Sequence, residues 1–314
     1  MTNQKSNPMP NAAIDISKKT GTFTSYDGTE IYYEVRGPSN RPAKPMFLCY
    51  GLACPINHWV HQIKYFSQTY QTIAFDYRGH HFSQTPENRE NLTVDAICQD
   101  IKGLADHLSI EHGTFVGHSY GVQILFRLYD MYPQLIDNLV LINGFATNPI
   151  KGMFGTDTVA TLFRIFKEGY RTLPETLSWI WRSAVTHPLA IPFTSAVGGF
   201  NLRLTNLKDI ETYARGVAAM DLEVFMALFE QMMNYDASPV LERIQKPTLI
   251  ISGSKDGVTP FSYQERMHQK IRNSQLMRVP YGSHCTQLDL PDFVNLRIEK
   301  FLRENPIDAA AGRG

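Results

Sequence analysis

The stretch T-F-V-G-H-S-Y-G, residues 114–121, decides how the rest of the sequence is interpreted. It begins as a short apolar run typical of a buried strand, and residues 122–132 after it have the spacing of a helix. The G-x-S-x-G pattern is typical of a strand that turns sharply into a helix, where a side chain at either glycine would collide with its neighbours. By itself the pattern also fits an ordinary turn with a capping serine. The rest of the chain favours the first interpretation, with Ser119 at a strand's carboxyl end and at a helix N-terminus that stabilises negative charge.

The composition indicates a globular protein without a strong net charge. The 314 residues contain 30 Lys and Arg and 30 Asp and Glu, so neither a nucleic-acid groove nor a polybasic membrane-binding run is expected. No apolar stretch approaches the roughly 20 residues that a membrane-spanning helix needs. The first 20 residues lack the apolar core of a signal peptide, and the four cysteines show no C-x-x-C spacing. We therefore predict a cytoplasmic protein with free thiols.

The order of the apolar runs predicts an α/β fold. Two β-rich runs flank Asp27-Gly28, which is a hairpin signal. Six further apolar runs alternate with helical patterns, which is typical of a mostly parallel sheet with right-handed crossovers. The prediction is a mixed, mostly parallel, eight-stranded sheet flanked by helices. The predicted strands are residues 21–25, 30–36, 46–50, 72–76, 114–116, 139–142, 248–252 and 276–279.

A helical segment interrupts this alternation. About a hundred residues before Pro247 carry no strand signal, which is too long for a loop. Their helical patterns, at residues 159–170, 175–185, 207–220 and 222–235, predict an inserted cap. The predicted domains are an N-terminal mobile tail, a core in two pieces, the cap and a C-terminal tail, at residues 1–20, 21–147 with 237–305, 148–236 and 306–314. The cap is rich in aromatic residues, and those that face the gap above Ser119 would make it apolar; the candidates are Phe163, Trp179, Phe225 and Phe229.

A serine nucleophile needs a base, and the base needs a carboxylate that orients it. The two last strands lead into loops that supply both. Residues 248–252 lead into G-S-K-D-G, which contains Asp256, and residues 276–279 lead into P-Y-G-S-H, which ends at His284. Since the carboxyl ends of parallel strands meet at one edge of a sheet, we expect Ser119, Asp256 and His284 to meet there.

At this point the sequence resembles the α/β-hydrolase superfamily, specifically its capped branch of esterases, C–C hydrolases and epoxide-hydrolase-like enzymes. The resemblance extends from about Gly21 to Leu302 and is carried by DYRGH (76–80), GHSYG (117–121), PTLIISGSKD (247–256) and GSHCTQLDLPDFV (282–294). It implies that Ser119 is the nucleophile, His284 the base and Asp256 the acid. It further implies an oxyanion hole formed by the backbone N–H groups of Tyr120 and Leu52.

Two positions depart from the family pattern. Tyr50-Gly51 stands where the family usually has His-Gly, and His81 replaces a glycine in R-G-H-G-x-S. The oxyanion donor is a backbone N–H, so the first change does not remove it, while His81 is either a pocket residue or a surface histidine. Asp76 is an alternative to Asp256 as the acid, although it resembles a residue that anchors the Arg78 loop.

Other histidines are interpreted as structural. His118 is expected to support the Ser119 turn, and neither His58 nor His61 has ligand spacing. No H-E-x-x-H pattern and no glycine-rich phosphate loop is present, so we predict neither a metal nor any other cofactor.

These observations predict a serine esterase that cleaves a small apolar ester or thioester and is a monomer or a homodimer. The resemblance implies an aspartate nucleophile in dehalogenases and epoxide hydrolases, which makes both activities improbable for Ser119. The alternatives are a C–C bond hydrolase, an acyltransferase, a perhydrolase, or a ligand-sensing protein of the same fold that binds a partner protein. An exposed apolar patch on the cap favours the sensor, whereas multiple turnover on simple esters favours the enzyme.

Overall fold

The computed structural model describes residues 15–149 and 158–307. Its centre is one eight-stranded sheet in the order β1-β2-β4-β3-β5-β6-β7-β8. β1 pairs with β2 and β2 with β4 in antiparallel register, and the remaining pairs are parallel, so the predicted fold class is confirmed. The strands are β1 Ile16–Thr24, β2 Glu30–Pro38, β3 Lys44–Cys49, β4 Tyr70–Phe75, β5 Gly113–His118, β6 Ile136–Ile142, β7 Thr248–Gly253 and β8 Ser274–Val279.

Helices follow most of the strands and also fill the interval between β6 and β7. The helices are α1 Val60–Phe66, α2 Val94–His107, α3 Tyr120–Met131, α4 Thr158–Thr172, α5 Pro174–Thr186, α6 Ala190–Ala196, α7 Leu207–Ala219, α8 Leu222–Asn234, α9 Ser238–Leu241, α10 Phe261–Lys270, α11 Thr286–Asp289 and α12 Pro291–Glu304. The four helical patterns predicted between β6 and β7 match α4, α5, α7 and α8 to within one or two residues. In the described part of the chain, no helix is long and apolar enough to cross a bilayer.

The turn between β5 and α3 has the geometry that the two glycines permit. Every residue of β5 is buried, and the strand lies between β3 and β6. A Cβ on Gly121 would lie 2.2 Å from the Cys49 carbonyl oxygen, and one on Gly117 would lie 2.9 Å from Leu125. Ser119, which precedes α3, has φ 54° and ψ −118°, a strained conformation that the close packing enforces.

The structure corrects two details of the sequence analysis. β1 begins at Ile16 and pairs with β2 along its whole length, so the predicted tail boundary at residue 20 is too late. The continuous run of exposed polar residues S-K-K-T hid this edge strand, since Phe23 is the one residue of β1 that is buried. α6 was not predicted from the sequence; Pro192 lies in its first turn, where proline is tolerated. Residues 1–14 and 308–314 of the predicted tails, and 150–157 of the predicted cap, lie outside the described residues.

Candidate active site

Ser119, His284 and Asp256 lie in hydrogen-bonding contact at the carboxyl edge of the sheet. The Ser119 hydroxyl donates to Nε2 of His284 over 3.0 Å, and Nδ1–H of His284 donates to Oδ2 of Asp256 over 3.0 Å. The Asp256 side chain is fully buried, and that of His284 is 10% exposed. In this arrangement the Nε2 lone pair of His284 faces the serine, the orientation that a general base requires.

Backbone and hydroxyl donors fix the Asp256 carboxylate. Its Oδ1 accepts hydrogen bonds from the Val258 and Thr259 amides, both at 2.8 Å. Its Oδ2 also accepts from the Thr259 hydroxyl at 2.7 Å. Because these donors hold both oxygens, the carboxylate can orient the imidazole of His284 without moving itself.

Asn143, directly after β6, joins the loops that carry Asp256 and His284. Its Nδ2 donates to the carbonyl oxygens of His284 and Ser283 at 2.6 and 3.0 Å, and its Oδ1 accepts from the Gly253 amide at 2.7 Å. Asn143 is fully buried and has φ 45°, which asparagine tolerates better than most residues. Asn143 was not predicted from the sequence. The signal that could have indicated it is an Asn-Gly pair directly after an apolar strand, at the same sheet edge as Asp256.

A segment between α6 and α7 also binds the His284 loop, through contacts separate from those of Asn143. The His284 amide donates to the Gly198 carbonyl at 2.8 Å, and the Cys285 amide donates to the Gly199 carbonyl at 3.2 Å. Asp289 strengthens this contact, since its Oδ2 accepts from the Ser283 amide at 2.6 Å and its Oδ1 accepts from the Asn201 amide at 3.3 Å. The position of His284 therefore depends on residues that are distant in sequence.

Replacement of Gly198 tests whether the position of the His284 loop depends on the segment between α6 and α7. It has φ +81°, and a Cβ there would lie 2.4 Å from the Gly257 nitrogen and 2.6 Å from the Lys255 carbonyl oxygen. Replacement by alanine should therefore displace the Asp256 loop, lower kcat at least tenfold and destabilise the fold by about 1–3 kcal/mol. Urea denaturation and ester turnover measure the two effects.

The matched control is Gly169→Ala in α4, where the nearest atom to a new Cβ is at an ordinary 3.5 Å. There alanine should leave turnover unchanged and stabilise the helix by up to about 1 kcal/mol. Equal effects of the two substitutions would contradict the role assigned to Gly198.

Two backbone N–H groups near Ser119 are candidate donors to an oxyanion. Tyr120 is the first residue of α3, so its amide has no partner within the helix. Leu52 lies in a turn closed by a hydrogen bond from the Cys54 amide to the Gly51 carbonyl at 3.1 Å, and a Cβ on Gly51 would lie 3.3 Å from Cβ of Ser119. Neither the Tyr120 nor the Leu52 amide donates to another residue in the described ranges, 15–149 and 158–307.

An apolar cavity of about 690 Å³ lies beside Leu52. Among the described residues its wall is formed mainly by α5, α6 and α7, with Phe225 of α8. The large side chains in this wall include Leu52, Trp181, Leu189, Phe193, Phe200 and Phe225. Phe200 also packs with Cys285, the residue after His284. The cavity therefore reaches from a candidate oxyanion donor to the back of the His284 loop.

The four predicted pocket residues occupy different places. Phe225 lines the cavity, and Phe229 stacks on Phe225 with ring centroids 5.5 Å apart. Phe163 packs on Phe229 at 4.9 Å and does not line the cavity. Trp179 is 67% exposed and also lies outside the cavity, so the structure does not support its prediction as a pocket residue.

Trp181 lines the cavity where the sequence analysis placed Trp179. Residues two apart on a helix lie about 200° apart around its axis, so the two tryptophans of α5 face opposite sides. Trp181 faces the cavity and packs on Phe225 at 4.6 Å. Helical periodicity predicts that Trp179 and Trp181 lie on opposite faces of α5. Which of the two faces the cavity depends on how α5 packs against its neighbours.

Asp76 lies apart from the triad. Its Oδ1 accepts from the Tyr50 hydroxyl at 3.1 Å, and its Oδ2 accepts from the Phe82 amide at 3.2 Å. Burial raises its pKa to about 7.

Asp76 and His81 line a cleft of about 720 Å³ beside β2 and α1. This cleft is slightly larger than the apolar cavity, but none of the described residues that line it belongs to the candidate triad or oxyanion hole, so the apolar cavity is the better candidate for substrate.

Three buried imidazoles surround the site. Burial lowers the pKa of His58 and of His80 to about 3 and that of His118 well below its ordinary range. His118 donates through Nε2 to the His284 carbonyl at 2.8 Å, which supports its predicted structural role. His80 accepts from the Ala53 amide at 3.3 Å and so braces the turn that carries Leu52.

His80 should make the protein sensitive to acid. Its pKa in the folded state, about 3, lies below the ordinary 6.5, so its contribution to stability is complete above pH 6.5 and is lost as the pH falls towards 3. Between about pH 6 and 4 this group alone removes about 1.4 kcal/mol per pH unit from the unfolding free energy. His80→Gln should abolish that contribution, so urea denaturation should show the difference between the two proteins changing with that slope. Parallel pH profiles would contradict the neutral, buried state of His80.

Comparisons with known proteins agree with the fold. Residues 44–175 match the family model described as "alpha/beta hydrolase fold", and residues 231–312 match one described as "TAP-like protein". The chain is 26% identical to epoxide hydrolase 4 of Mus musculus over 88% of this chain and 77% of that one. It is 27% identical to 3-oxoadipate enol-lactonase 2 of Acinetobacter baylyi over 90% of this chain and 96% of that one. A solved esterase from Thermogutta terrifontis superposes with a TM-score of 0.70 at 21% identity, covering 91% and 98% of the two chains.

Proposed function

Because the chain belongs to the α/β-hydrolase superfamily, we propose that it is a serine hydrolase that cleaves a carboxylic ester or thioester with an apolar acyl or alkyl part. The observation that carries the proposal is the chain of hydrogen bonds from Ser119 through His284 to Asp256. The enol-lactonase relative supports ester chemistry, since a lactone is a cyclic ester. Serine at the nucleophile position argues against epoxide hydrolysis in spite of the epoxide hydrolase relative.

The proposed reaction has two halves. The Ser119 oxygen attacks the substrate carbonyl while Nε2 of His284 takes the hydroxyl proton, and Asp256 stabilises the resulting imidazolium. The amides of Tyr120 and Leu52 donate to the oxyanion, each worth on the order of 3 kcal/mol in the transition state. His284 then protonates the leaving oxygen or sulfur. In the second half His284 takes a proton from water, the resulting hydroxide attacks the acyl carbonyl, and Ser119 leaves with its proton restored.

The apolar cavity supports an apolar substrate. Each further methylene that enters it should contribute about 0.8 kcal/mol, or roughly a fourfold gain in kcat/KM, until the cavity is full. We therefore expect kcat/KM for p-nitrophenyl esters to rise with acyl length and then level off. Trp181→Ala or Phe225→Ala should move the plateau to longer chains and leave the acetate ester nearly unaffected.

Trp179→Ala is the matched control, because Trp179 is on the same helix as Trp181 but outside the cavity. It should leave the chain-length profile unchanged. A profile without any dependence on chain length, in the unmodified protein, would contradict an apolar acyl site. Acyl-thioesters in the same series, with and without an added alcohol acceptor, distinguish thioester hydrolysis and acyl transfer from simple ester hydrolysis.

A ligand-sensing protein is the second candidate function. It is favoured by one observation, the large apolar residues that lie exposed between β6 and β7, Trp179, Leu189 and Phe193 among them. Repeated turnover of simple esters distinguishes the two candidates. An enzyme converts many equivalents, whereas a sensor that keeps the triad converts about one.

A further inference from the structure

The hydrogen bonds to the Asp256 carboxylate divide unequally between its two oxygens. Oδ1 accepts from the Val258 and Thr259 amides, both at 2.8 Å. Oδ2 accepts from the Thr259 hydroxyl at 2.7 Å and from Nδ1–H of His284 at 3.0 Å. Because both amides converge on Oδ1, they fix that oxygen but leave Oδ2 able to swing about it. In the part of the chain that the structure describes, the Thr259 hydroxyl is the donor that fixes Oδ2 independently of His284.

The Thr259 hydroxyl has two acceptors within reach, and the Asp256 carboxylate is the better one. The hydroxyl oxygen lies 2.7 Å from Oδ2 of Asp256 and 3.0 Å from the Asn143 carbonyl oxygen. A hydroxyl has one proton to donate, and a hydrogen bond to an ionised acceptor is roughly twice as strong as a neutral one. The proton is therefore donated to Oδ2. The same hydroxyl oxygen lies 3.4 Å from Nδ1 of His284, so it stands beside the hydrogen bond between the base and the acid.

Thr259 is itself fixed, so its hydroxyl has a defined position. Its carbonyl accepts from Nε2 of Gln264 in α10 at 3.2 Å, and the same Nε2 donates to the Gly144 carbonyl at 2.8 Å. Thr259 and Gln264 are both fully buried, and the branched Cβ of threonine restricts rotation of its side chain. The Asp256 side chain is also fully buried, so bulk water does not supply a substitute donor to Oδ2.

We propose that Thr259 is a positioning residue of the hydrolase reaction, whose hydroxyl keeps Oδ2 of Asp256 directed at Nδ1 of His284 while the imidazole gains and loses a proton. The inference rests on the proposed function of the triad. When His284 takes the Ser119 proton it becomes an imidazolium, and its stabilisation by Asp256 requires Oδ2 to stay in line. Without the Thr259 hydroxyl, His284 would have to hold in place the group that orients it.

Thr259→Val tests the proposal, because valine keeps the shape of the side chain and lacks the hydroxyl. We expect kcat for a short p-nitrophenyl ester to fall about tenfold or more, the effect of losing a hydrogen bond to a charged group. KM should stay within about twofold of the unmodified value, since Thr259 does not line the apolar cavity. Thr259→Ser, which keeps the hydroxyl, should restore kcat to within about threefold of the unmodified value.

Thr248→Val is the matched control. Thr248 is also a fully buried threonine, at the opposite end of β7 from the Asp256 loop, and its hydroxyl donates to the Lys246 carbonyl at 2.9 Å. The control removes a comparable hydrogen bond, so it should lower the unfolding free energy and leave kcat unchanged. In a protein that already carries Asp256→Asn, Thr259→Val should change kcat by less than about twofold, because it acts through the carboxylate.

Proton NMR examines the same contact without any substrate. Nδ1–H of His284 is donated to a buried carboxylate and should give a far-downfield resonance that Asp256→Asn removes. Thr259→Val should broaden or remove this resonance, because a weakened bond exchanges its proton with solvent faster, whereas Thr259→Ser and Thr248→Val should retain it. Loss of the resonance from Thr259→Val in a protein that turns over no ester would support the role of Thr259 and contradict the proposed function. An active enzyme in which Thr259→Val keeps both kcat and the resonance, or in which Thr248→Val lowers kcat as much, would overturn the proposal.

Discussion

Replacement of Ser119 by alanine is expected to lower kcat/KM for p-nitrophenyl esters by about 10⁶-fold. In the proposed reaction the Ser119 hydroxyl, which donates to His284 over 3.0 Å, is the protein group that forms a covalent bond with the acyl carbon. Without it, the two oxyanion amides and the cavity can still bind and polarise the ester, so a residual rate above the uncatalysed reaction should remain. Steady-state kinetics with each ester in the chain-length series measures both quantities.

The fold should tolerate this change. Ser119 makes its backbone hydrogen bond to Ile142 through its amide, which alanine retains. The positive φ of 54° is enforced by Gly117 and Gly121, so it persists in the variant. Circular dichroism and the unfolding free energy should therefore stay near those of the unmodified protein. Activity above one per cent in a correctly folded Ser119→Ala protein would contradict the assignment of the nucleophile.

The second largest effect is expected from Asp256→Asn, a loss of about 10⁴-fold in kcat. Asparagine keeps the shape, but its amide group favours the wrong tautomer of His284 and no longer stabilises the imidazolium. The Val258 and Thr259 amides donate to Oδ1 in the unmodified protein, and a carbonyl oxygen can still accept these bonds. The loss should thus appear in kcat with little change in stability.

Asp76→Asn is the matched control for the acid. Asp76 is a buried aspartate at the same edge of the sheet, but its carboxylate contacts Tyr50 and Phe82. We expect less than a tenfold change in kcat for this variant. If Asp76→Asn loses activity while remaining folded and Asp256→Asn does not, the acid has been misassigned.

The sequence predicts most of the core because its signals are local. The turn at Ser119 is determined by two glycines four positions apart, Gly117 and Gly121, and each member of the candidate triad follows its own apolar strand. Parallel strands then bring Asp256 and His284 to the same sheet edge as Ser119, as the hydrogen bonds of the structure show. The strand order and the strand and helix boundaries, such as the start of β1 at Ile16, needed the structure.

The supporting residues were not predictable because they depend on contacts between distant parts of the chain. Asn143 acts on carbonyl groups 140 and 141 residues away, and its sequence context shows only an Asn-Gly pair after a strand. Gly198 meets the Asp256 loop only after α6 has packed in place.

The central claim, that Ser119 is a covalent nucleophile, is tested most directly by the mass of the protein after reaction with a fluorophosphonate. We expect one adduct per chain, mapped by peptide mass spectrometry to Ser119 and absent from Ser119→Ala. Prior incubation with an ester whose acyl group fits the cavity should slow the labelling. An adduct on another residue, an adduct that persists in Ser119→Ala, or an unlabelled protein that nevertheless turns over esters would contradict it.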